Sequence, residues 1–400
     1  MTDHPGFLSL PVTDDRVDAS ARSEIRSLCT VAWIRNLALI ASAYGVEVVS
    51  TVRRKVLERA RDFCAREAGF VTLSGENLLF VFERPQQQRE ADPHAARDDR
   101  GIVDAVVAAL GDDPIITSSG EVCAAIAATI PEDENAPFDL EGVASDETCV
   151  GARPWRMRYM ADMQTAGHLL GALRRGDLRL RYEKICNANA TGRVEYYEVL
   201  LSEVVNGTSV SAGRRVLALE RLGLIGRLDR WVVWSVIDML RCRPGISLGC
   251  NVSVQSARLE GWWLTVIETL AGEPQVAARL VIEITESVPM TDLDAMGNFV
   301  RAMQLLGCRV ALDDVGAGYS SLRILTELRM DIAKVDREYL HQARSSADAR
   351  KRVGALIGLA RACVSHVVLE GVERDEDLQL SRDCGAHWAQ GYLFEPVLQM

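Results

Sequence analysis

The sequence predicts an α/β protein in which a (β/α) barrel follows a smaller α+β domain. In the second half of the chain, apolar β-branched runs alternate with segments of helical periodicity. This alternation is typical of parallel strands joined by crossover helices, and strands that are apolar throughout are buried on both faces, as in a barrel. The runs also carry polar residues near their ends. Because the carboxyl ends of barrel strands meet at one mouth, these residues are candidates for an active site.

Composition and charge indicate a globular protein of two or three domains. The 400 residues are 48% apolar and 25% charged, and the formal net charge is −11. This excess of acids argues against a nucleic-acid polymer as partner. The best candidate for a membrane span, 31–49, is interrupted by Arg35 and Asn36, so no span is predicted. The first residues lack the basic and apolar regions of a secretory signal, and we therefore expect a cytoplasmic protein.

Cysteine and histidine residues do not indicate a zinc site or a disulfide framework. The ten cysteines form no CxxC pair, and the six histidines are dispersed. A metal ion in this protein would therefore be held by oxygen ligands, which favours Mg²⁺, Mn²⁺ or Ca²⁺.

The chain divides into three predicted regions. Residues 1–24 are polar and are predicted to form a flexible arm. Residues 25–150 form the predicted α+β domain, and residues 151–400 contain a linker helix over 156–175 followed by the barrel. Within the first domain we predict a helix over 47–66, two strands around the turn in FVTLSGENLLFVF, a charged loop at 85–99 and an acidic boundary at 131–148.

The barrel strands are predicted from seven apolar runs. In chain order these are VEYYEVLL, ISLGCNVSV, RLVIEITE, RVALDD, IAKVD, SHVVLE and AQGYLF. Between the first two lies RRVLALERLGLIGRLDRWVVWSVIDML, which has helical periodicity throughout.

Nearly every predicted barrel strand supplies a polar side chain. These residues are Glu198, Asn251, Glu283, Asp313, Asp314, Lys334, Asp336, Glu370 and Gln390. An isolated Asp-Asp pair is more often a helix N-cap with an acidic neighbour. A buried carboxylate without a partner is costly, however, and capping does not explain why strand after strand supplies one. The set therefore predicts an oxygen-lined divalent-metal centre at the barrel mouth.

Over roughly residues 160–400 the chain resembles the EAL family of cyclic-di-GMP phosphodiesterases. The motif that names the family is present as Glu198-Val199-Leu200. Other matching blocks are NVS at 251–253, EITES at 283–287, ALDDVGAGYSSL at 311–322, KVD at 334–336, LEGVE at 369–373 and QGY at 390–392. The resemblance implies a TIM-like (β/α)8 barrel with one reversed strand. It also implies hydrolysis of cyclic-di-GMP to the linear dinucleotide 5′-pGpG.

The resemblance implies roles for individual residues. One Mg²⁺ or Mn²⁺ ion would be held by Glu198, Asn251, Glu283 and Asp313, and a second by Asp313, Asp314 and Glu370. Catalytic roles would fall to Lys334, Glu370, Gln390 and Glu286, with Lys334 holding the attacking water or the phosphate and Glu286 supporting the 315–321 loop. Substrate contacts would come from Leu200, Ser202, Asp314, Gly316, Gly318, Tyr319 and Glu373. In this family the loop closes over the substrate and takes part in dimer contacts, so a homodimer through the barrel domain is expected.

The chain departs from the EAL pattern where the substrate is recognised. The Tyr-Gln-Pro entry motif is Tyr182-Glu183-Lys184 here, and the substrate-contacting arginine expected two residues after Leu200 is Ser202. Losing a cationic donor to phosphate removes about 1.5–3 kcal/mol of binding, or one to two orders of magnitude in affinity. In the 315–321 loop, Val315 and Ala317 replace the usual Phe and Thr. The predicted metal set is therefore complete, whereas the predicted substrate contacts are reduced.

Residues 25–150 resemble a degenerate GGDEF (diguanylate cyclase) domain. The signature hairpin appears as SGENL at 74–78, with Asn77 in place of an acid. The expected metal-binding Asp is Trp33, and the expected nucleotide-binding Asn-Asp pair is Ala41-Ser42. We therefore expect no cyclase activity and a regulatory role, with contact to a protein partner. An unrelated α+β sensory module is the open alternative.

Two functions of different classes compete for the barrel. One is a phosphodiesterase acting on cyclic-di-GMP. The other is a non-hydrolysing cyclic-di-GMP receptor or protein-interaction module. The complete metal set favours the enzyme, whereas Ser202 and Glu183 favour the receptor. A third reading, an unrelated metal-dependent barrel enzyme, fits the spacing of the polar residues but not the ordered motifs.

Overall fold

The computed structural model describes residues 25–85, 95–130, 153–205, 208–285, 292–317 and 321–394. The predicted arm at 1–24 and the predicted boundary at 131–148 lie outside the described residues. No helix in the described ranges is long and apolar enough to cross a membrane.

The N-terminal domain is built on an antiparallel sheet. Its elements are β1 (Ile25–Ile34), α1 (Leu37–Tyr44), α2 (Val46–Arg66), β2 (Gly69–Ser74), β3 (Asn77–Pro85), α3 (Ala95–Gly111), β4 (Ile115–Thr117), β5 (Gly120–Val122) and β6 (Ile126–Thr129). Four of the strands form the sheet, in the order β2-β3-β1-β6. The predicted helix over 47–66 and the predicted hairpin are confirmed. On α2, Val48, Val52, Val56 and Ala60 are buried, because residues four apart share one face of a helix.

The predicted loop at 85–99 is wrong in its second part, because α3 begins at Ala95. Charged residues at 97–100 suggested a loop, but they form the first turns of a helix. Its later turns bury Ile102, Val106 and Leu110 at intervals of about four residues. Tertiary packing of that apolar face stabilises the whole helix, including its charged beginning.

A long helix and the barrel make up the rest of the described chain. The elements are α4 (Arg153–Arg175), β7 (Leu178–Asn187), β8 (Val194–Val205), β9 (Thr208–Ser211), α5 (Gly213–Arg221), α6 (Gly226–Cys242), β10 (Leu248–Ser253), α7 (Trp262–Gly272), α8 (Pro274–Ala277), β11 (Leu280–Thr285), α9 (Leu293–Leu305), β12 (Arg309–Val315), α10 (Ser321–Glu327), β13 (Ile332–Val335), α11 (Arg337–Ala343), α12 (Ala347–Cys363), β14 (His366–Leu369), α13 (Asp375–Asp383) and β15 (Trp388–Gln390). All seven predicted barrel strands have a counterpart and the linker helix is confirmed, but the last run, AQGYLF, is strand only at its first two residues, because β15 ends at Gln390.

Eight strands close into a barrel in the order β10-β11-β12-β13-β14-β15-β7-β8, with β8 pairing back to β10. The strand β7 is antiparallel to both of its neighbours, β15 and β8. The other pairs are parallel. The expected TIM-like (β/α)8 barrel with one reversed strand is therefore confirmed. The short strand β9 is not part of the closed barrel. It pairs antiparallel with the last residues of β8.

The helical segment between β9 and β10 is two helices rather than one continuous pattern. Helix α5 ends at Arg221, and α6 begins at Gly226. Between them Gly223 has a φ of 68°, a left-handed conformation that glycine adopts at little cost and that commonly ends a helix.

The N-terminal domain packs directly against α4 and the outside of the barrel, and the apolar cores of the two parts are continuous. Helix α4 contributes to both sides. Its Arg156 donates to the carbonyl of Ala43, while its Asp162 accepts two hydrogen bonds from Arg221 of α5. The position of the N-terminal domain is therefore set by specific contacts and not only by a tether.

Candidate metal centre

The interior of the barrel is layered, with an apolar layer directly below a polar one. The apolar layer consists of Ile185, Tyr196, Val281, Ala311, Ile332, Val368 and Trp388. Two residues further toward the mouth on the same strands come Glu183, Glu198, Glu283, Asp313, Lys334, Glu370 and Gln390. Side chains two apart on a strand point to the same face. The register of the closed barrel therefore brings these polar groups together at one level.

Lys334 lies at the centre of the polar layer. Its ammonium Nζ is 2.7 Å from Glu283 Oε2, 2.9 Å from Glu370 Oε1 and 3.0 Å from both Glu198 Oε2 and Asp313 Oδ1. Lys334 and Glu283 are fully buried. One cation thus faces four carboxylates that come from four different strands or strand ends.

The carboxylates form two overlapping groups that share Asp313. The first group is Glu198, Glu283 and Asp313, and the second is Asp313, Asp314 and Glu370. Within each group, one oxygen from every residue lies within 4.8 Å of the others. These groups coincide with the carboxylates of the two ion sites that the EAL resemblance implies.

Amide side chains complete the polar layer. Asn251 Nδ2 donates to Glu198 Oε1 at 2.7 Å, and Gln390 Nε2 donates to Glu198 Oε2 at 2.6 Å and to a carboxylate oxygen of Glu183 at 3.3 Å. Within the described part of the chain, Asn251 Oδ1, Gln390 Oε1 and Glu283 Oε1 are buried and have no hydrogen-bond partner. Each of them is an acceptor, and a cation would satisfy them.

The electrostatics of the cluster reflect a shortage of positive charge. Burial raises the pKa of Glu283 to about 8 and raises that of Glu370 well above its usual value, although Lys334 opposes both shifts. The neighbouring Asp313, followed by burial, raises the pKa of Asp314 to about 7. Burial also acts on Glu198, but Lys334 and the amide donors outweigh it and lower its pKa. Four carboxylates around one ammonium, with Asp314 as a fifth beside them, therefore favour additional cations.

The donor set fits a hard divalent cation. Carboxylate and amide oxygens are the ligands that Mg²⁺ and Mn²⁺ prefer, and the unpartnered acceptors belong to this class. Histidine and cysteine are absent from the two groups.

Gly249 makes room for the Glu283 carboxylate, and the sequence did not identify this role. It lies on β10, two residues before Asn251, and in the strand register it is paired with Val281 of β11 and Glu198 of β8. A Cβ atom at this position would overlap Glu283 Oε1 and lie 2.7 Å from the ring of Tyr196. Only glycine fits there, so the size of this residue helps to place a candidate ligand.

Comparisons with known proteins agree with this architecture. The sequence pattern of the EAL domain matches residues 166–396, which is more than half of the chain. The chain belongs to the EAL domain family. It is 28% identical over 372 residues to the cyclic di-GMP phosphodiesterase NbdA of Pseudomonas aeruginosa, covering 89% of this chain and 46% of NbdA. The chain spans about half the length, or less, of the curated relatives NbdA, y4lL and sll1895.

Solved EAL structures share the fold. The PaMucR phosphodiesterase in complex with c-di-GMP is 26% identical with a TM-score of 0.53, and the match covers 59% of this chain and 98% of that one. The S helix-GGDEF-EAL part of Vibrio cholerae LapD, bound to c-di-GMP, is 15% identical with a TM-score of 0.52. This second likeness covers 93% of the present chain and 90% of that of LapD, so it includes the N-terminal domain.

The other residues that the EAL resemblance singles out differ in their position relative to the polar layer. Leu200 is one layer closer to the mouth than Glu198, and Ser202 is buried with its hydroxyl donating to the carbonyl of Arg179 at 3.2 Å. Gly316 follows β12, and its carbonyl accepts a hydrogen bond from Tyr339. Glu373 lies apart from the cluster, where it pairs with Arg344. The predicted residues Glu286, Gly318 and Tyr319 lie outside the described residues.

Proposed function

We propose that this EAL protein hydrolyses cyclic di-GMP to 5′-pGpG in a reaction that depends on Mg²⁺ or Mn²⁺. The observation that carries the proposal is the pair of overlapping carboxylate groups that share Asp313. A relative named as a cyclic di-GMP phosphodiesterase and a solved phosphodiesterase complex with c-di-GMP support the choice of substrate.

In this proposal Glu198, Asn251, Glu283 and Asp313 hold one ion, and Asp313, Asp314 and Glu370 hold the second. Bound divalent ions would neutralise the phosphodiester charge and activate the attacking water. An acidic protein can therefore accept an anionic dinucleotide at an acidic mouth.

Two amide side chains and one lysine would assist the reaction in different ways. Gln390 and Asn251 orient the carboxylate of Glu198 through their amide donors, which supports its place as a ligand. Burial acts to lower the pKa of Lys334, but the surrounding carboxylates raise it well above its usual value, so the side chain stays charged. Its ammonium would hold the phosphate or the attacking water once bound divalent ions engage the carboxylates that now surround it.

We further propose that the N-terminal domain is a GGDEF-like regulatory domain without cyclase activity. Trp33, Ala41 and Asn77 stand where metal and nucleotide ligands are expected in an active cyclase. The fold likeness to the GGDEF-EAL part of LapD supports the type of domain. Purified protein incubated with GTP and Mg²⁺ should form no cyclic di-GMP, and any such product would refute this assignment.

A non-hydrolysing receptor is the second candidate. Lys334 already pairs with four carboxylates in the polar layer, and Ser202 is buried instead of offering a cation to the substrate. These two features favour binding without turnover.

The deciding experiment incubates the purified protein with cyclic di-GMP and Mn²⁺ and separates the products by chromatography. We expect 5′-pGpG, complete loss of turnover in excess EDTA, and loss in Asp313→Ala. Binding without product in the wild type would establish the receptor. Full turnover in EDTA would refute the metal-dependent reaction.

A further inference from the structure

Arg181 lies at the mouth of the barrel, one layer above the candidate metal ligands. It pairs with Leu200 of β8, as Glu183 pairs with Glu198 and Ile185 with Tyr196. Because β7 is antiparallel to its neighbours, its residues approach the mouth as their numbers decrease, from 185 to 181. Two residues of a strand span about 7 Å. Arg181 is therefore the residue that β7 contributes to the level just outside the polar layer.

The guanidinium of Arg181 is only partly engaged. Its Nη1 lies 3.5 Å from Glu183 Oε1, and its side chain is 34% exposed. Its Nε is buried and has no hydrogen-bond partner in the described ranges of the chain. A guanidinium has five donors, so most of its donors remain available to a ligand.

Two nearby cations contrast with Arg181. Lys334 is engaged with four carboxylates, as described above. Arg179, two residues before Arg181 and closer to the outside, directs Nη1 to the carbonyl oxygens of Gly176 and Leu178. Of these three cations, Arg181 is the one that lies at the mouth and has guanidinium donors without a protein partner among the described residues.

Arg181 is also placed to substitute for the arginine that is missing at 202. Ser202 pairs directly with Arg179, so Arg181 is its diagonal neighbour across the β7–β8 pair. Diagonal neighbours are about 7–8 Å apart, a distance that a long side chain covers. A guanidinium from either position can therefore reach the same region of the mouth.

We propose that Arg181 binds a phosphodiester group of the substrate in place of the arginine absent at 202. The proposal rests on the proposed function, because it assumes an anionic dinucleotide at this mouth. The planar fork of a guanidinium matches two phosphate oxygens, and it would restore a contact whose loss costs one to two orders of magnitude in affinity.

The simpler role of Arg181 would be to neutralise Glu183. That role makes a different prediction, because removal of the Glu183 charge would then make Arg181 dispensable. A double-mutant cycle over the two positions separates the roles.

The experiment uses the full chain with cyclic di-GMP and saturating Mn²⁺. It compares wild type, Arg181→Gln, Arg181→Lys, Glu183→Gln, Arg181→Gln/Glu183→Gln and the matched control Arg179→Gln. KM and kcat are measured for each variant, or the Kd for cyclic di-GMP if the wild type binds without turnover. We expect KM or Kd to rise about 10- to 100-fold in Arg181→Gln, with an intermediate rise in Arg181→Lys and little change in kcat. The same rise should persist in the Glu183→Gln background, and Arg179→Gln should resemble the wild type.

Each result supports or overturns the proposal. Adding Ser202→Arg to Arg181→Gln should recover part of the lost affinity, which a structural role of Arg181 does not predict. If Glu183→Gln abolishes the effect of Arg181→Gln, Arg181 only balances a charge and the proposal is wrong. If the wild type hydrolyses cyclic di-GMP and Arg181→Gln has the same KM, the proposed role of Arg181 is wrong, but the proposed function of the protein stands. A wild type that neither binds nor hydrolyses cyclic di-GMP overturns the proposed function, and this inference with it.

Discussion

Asp313 and Asp314 are consecutive residues of β12, yet each presents a carboxylate oxygen within 4.8 Å of the other and of Glu370. In a regular strand, adjacent side chains point to opposite faces. The register between β12 and β13 shifts between Leu312 and Val315, and Asp314 has a φ of 50°. This left-handed conformation turns the second carboxylate toward the same group, and aspartate is one of the few non-glycine residues that adopt it readily.

Replacing Asp314 with Asn should separate the backbone role of this residue from its charge. Asn tolerates the left-handed conformation but lacks the carboxylate, whose ionisation beside Asp313 is unfavourable in the metal-free protein. At pH 8 we expect the free energy of unfolding without metal to rise on the order of 1–3 kcal/mol. The number of Mn²⁺ ions bound should fall from two to one in calorimetric titration. The control is Asp348→Asn, at a side chain that is 80% exposed. Two bound ions in Asp314→Asn would remove Asp314 from the ligand set.

Gly249 offers a second test that leaves every candidate ligand in place. A methyl group there would overlap Glu283 Oε1, and the crowding is expected to cost about 1–3 kcal/mol in stability. Displacement of Glu283 should also weaken Mn²⁺ binding. Gly245→Ala is the matched control, because a Cβ at position 245 meets nothing within 4 Å. If Gly249→Ala and Gly245→Ala bind Mn²⁺ equally well, the space at Gly249 does not determine the position of the ligand.

Much of the candidate site could be predicted from the sequence because strands have a period of two. Glu283 follows Val281, and Lys334 follows Ile332, each two residues beyond a member of the apolar layer. Apolar runs ending in polar residues therefore indicated the strands and the polar layer at once. The spacing did not show that Lys334 pairs with four carboxylates, because that depends on the closed register of the barrel.

Gly249 and Arg181 were missed for physical reasons that differ. A glycine in a strand has no side chain, and the need for it appears only when Glu283 of the next strand is in place. On the other strands, the residues nearer the mouth come after the polar-layer residue in the sequence. On β7 the order is reversed, and Arg181 comes before Glu183. Only the reversed direction of β7 shows that Arg181 lies at the mouth.

The pH dependence of stability should be opposite in sign to that of an ordinary salt-bridged carboxylate. The pKa values of Glu283, about 8, and Asp314, about 7, lie above their usual values of 4.5 and 3.8. Between the usual and raised values the folded protein holds more protons than the unfolded chain, so the free energy of unfolding falls as pH rises. Glu198, whose pKa is lowered, contributes in the opposite direction only in the acidic range.

We therefore expect the melting temperature of the EDTA-treated protein to fall between pH 6 and pH 8. The increase in melting temperature on adding Mn²⁺ should grow over the same range, because the ligands must be deprotonated to bind metal. Melting curves at pH 6, 7 and 8 with and without Mn²⁺ measure both effects. A metal-induced increase that shrinks with rising pH would contradict this account of the cluster.

The last prediction concerns how the N-terminal domain is held against the barrel. Arg227 of α6 donates from Nη2 to the carbonyl of Ala124 at 3.0 Å and lies 3.7 Å from Asp112. Its side chain is 13% exposed, so Arg227→Met should leave these groups without their cation and lower the free energy of unfolding by about 1–3 kcal/mol.

Hydrogen exchange in residues 120–129 should increase in Arg227→Met, while the affinity for Mn²⁺ should stay at the wild-type value because the metal centre lies at the barrel mouth. If the N-terminal domain sets the activity of the barrel, turnover should change as well. The control is Arg54→Met, because Arg54 pairs with Glu58 within α2, the two side chains are 59% and 43% exposed, and such surface pairs contribute little. Turnover that is unchanged in Arg227→Met despite faster exchange would show that this contact stabilises the protein without regulating it.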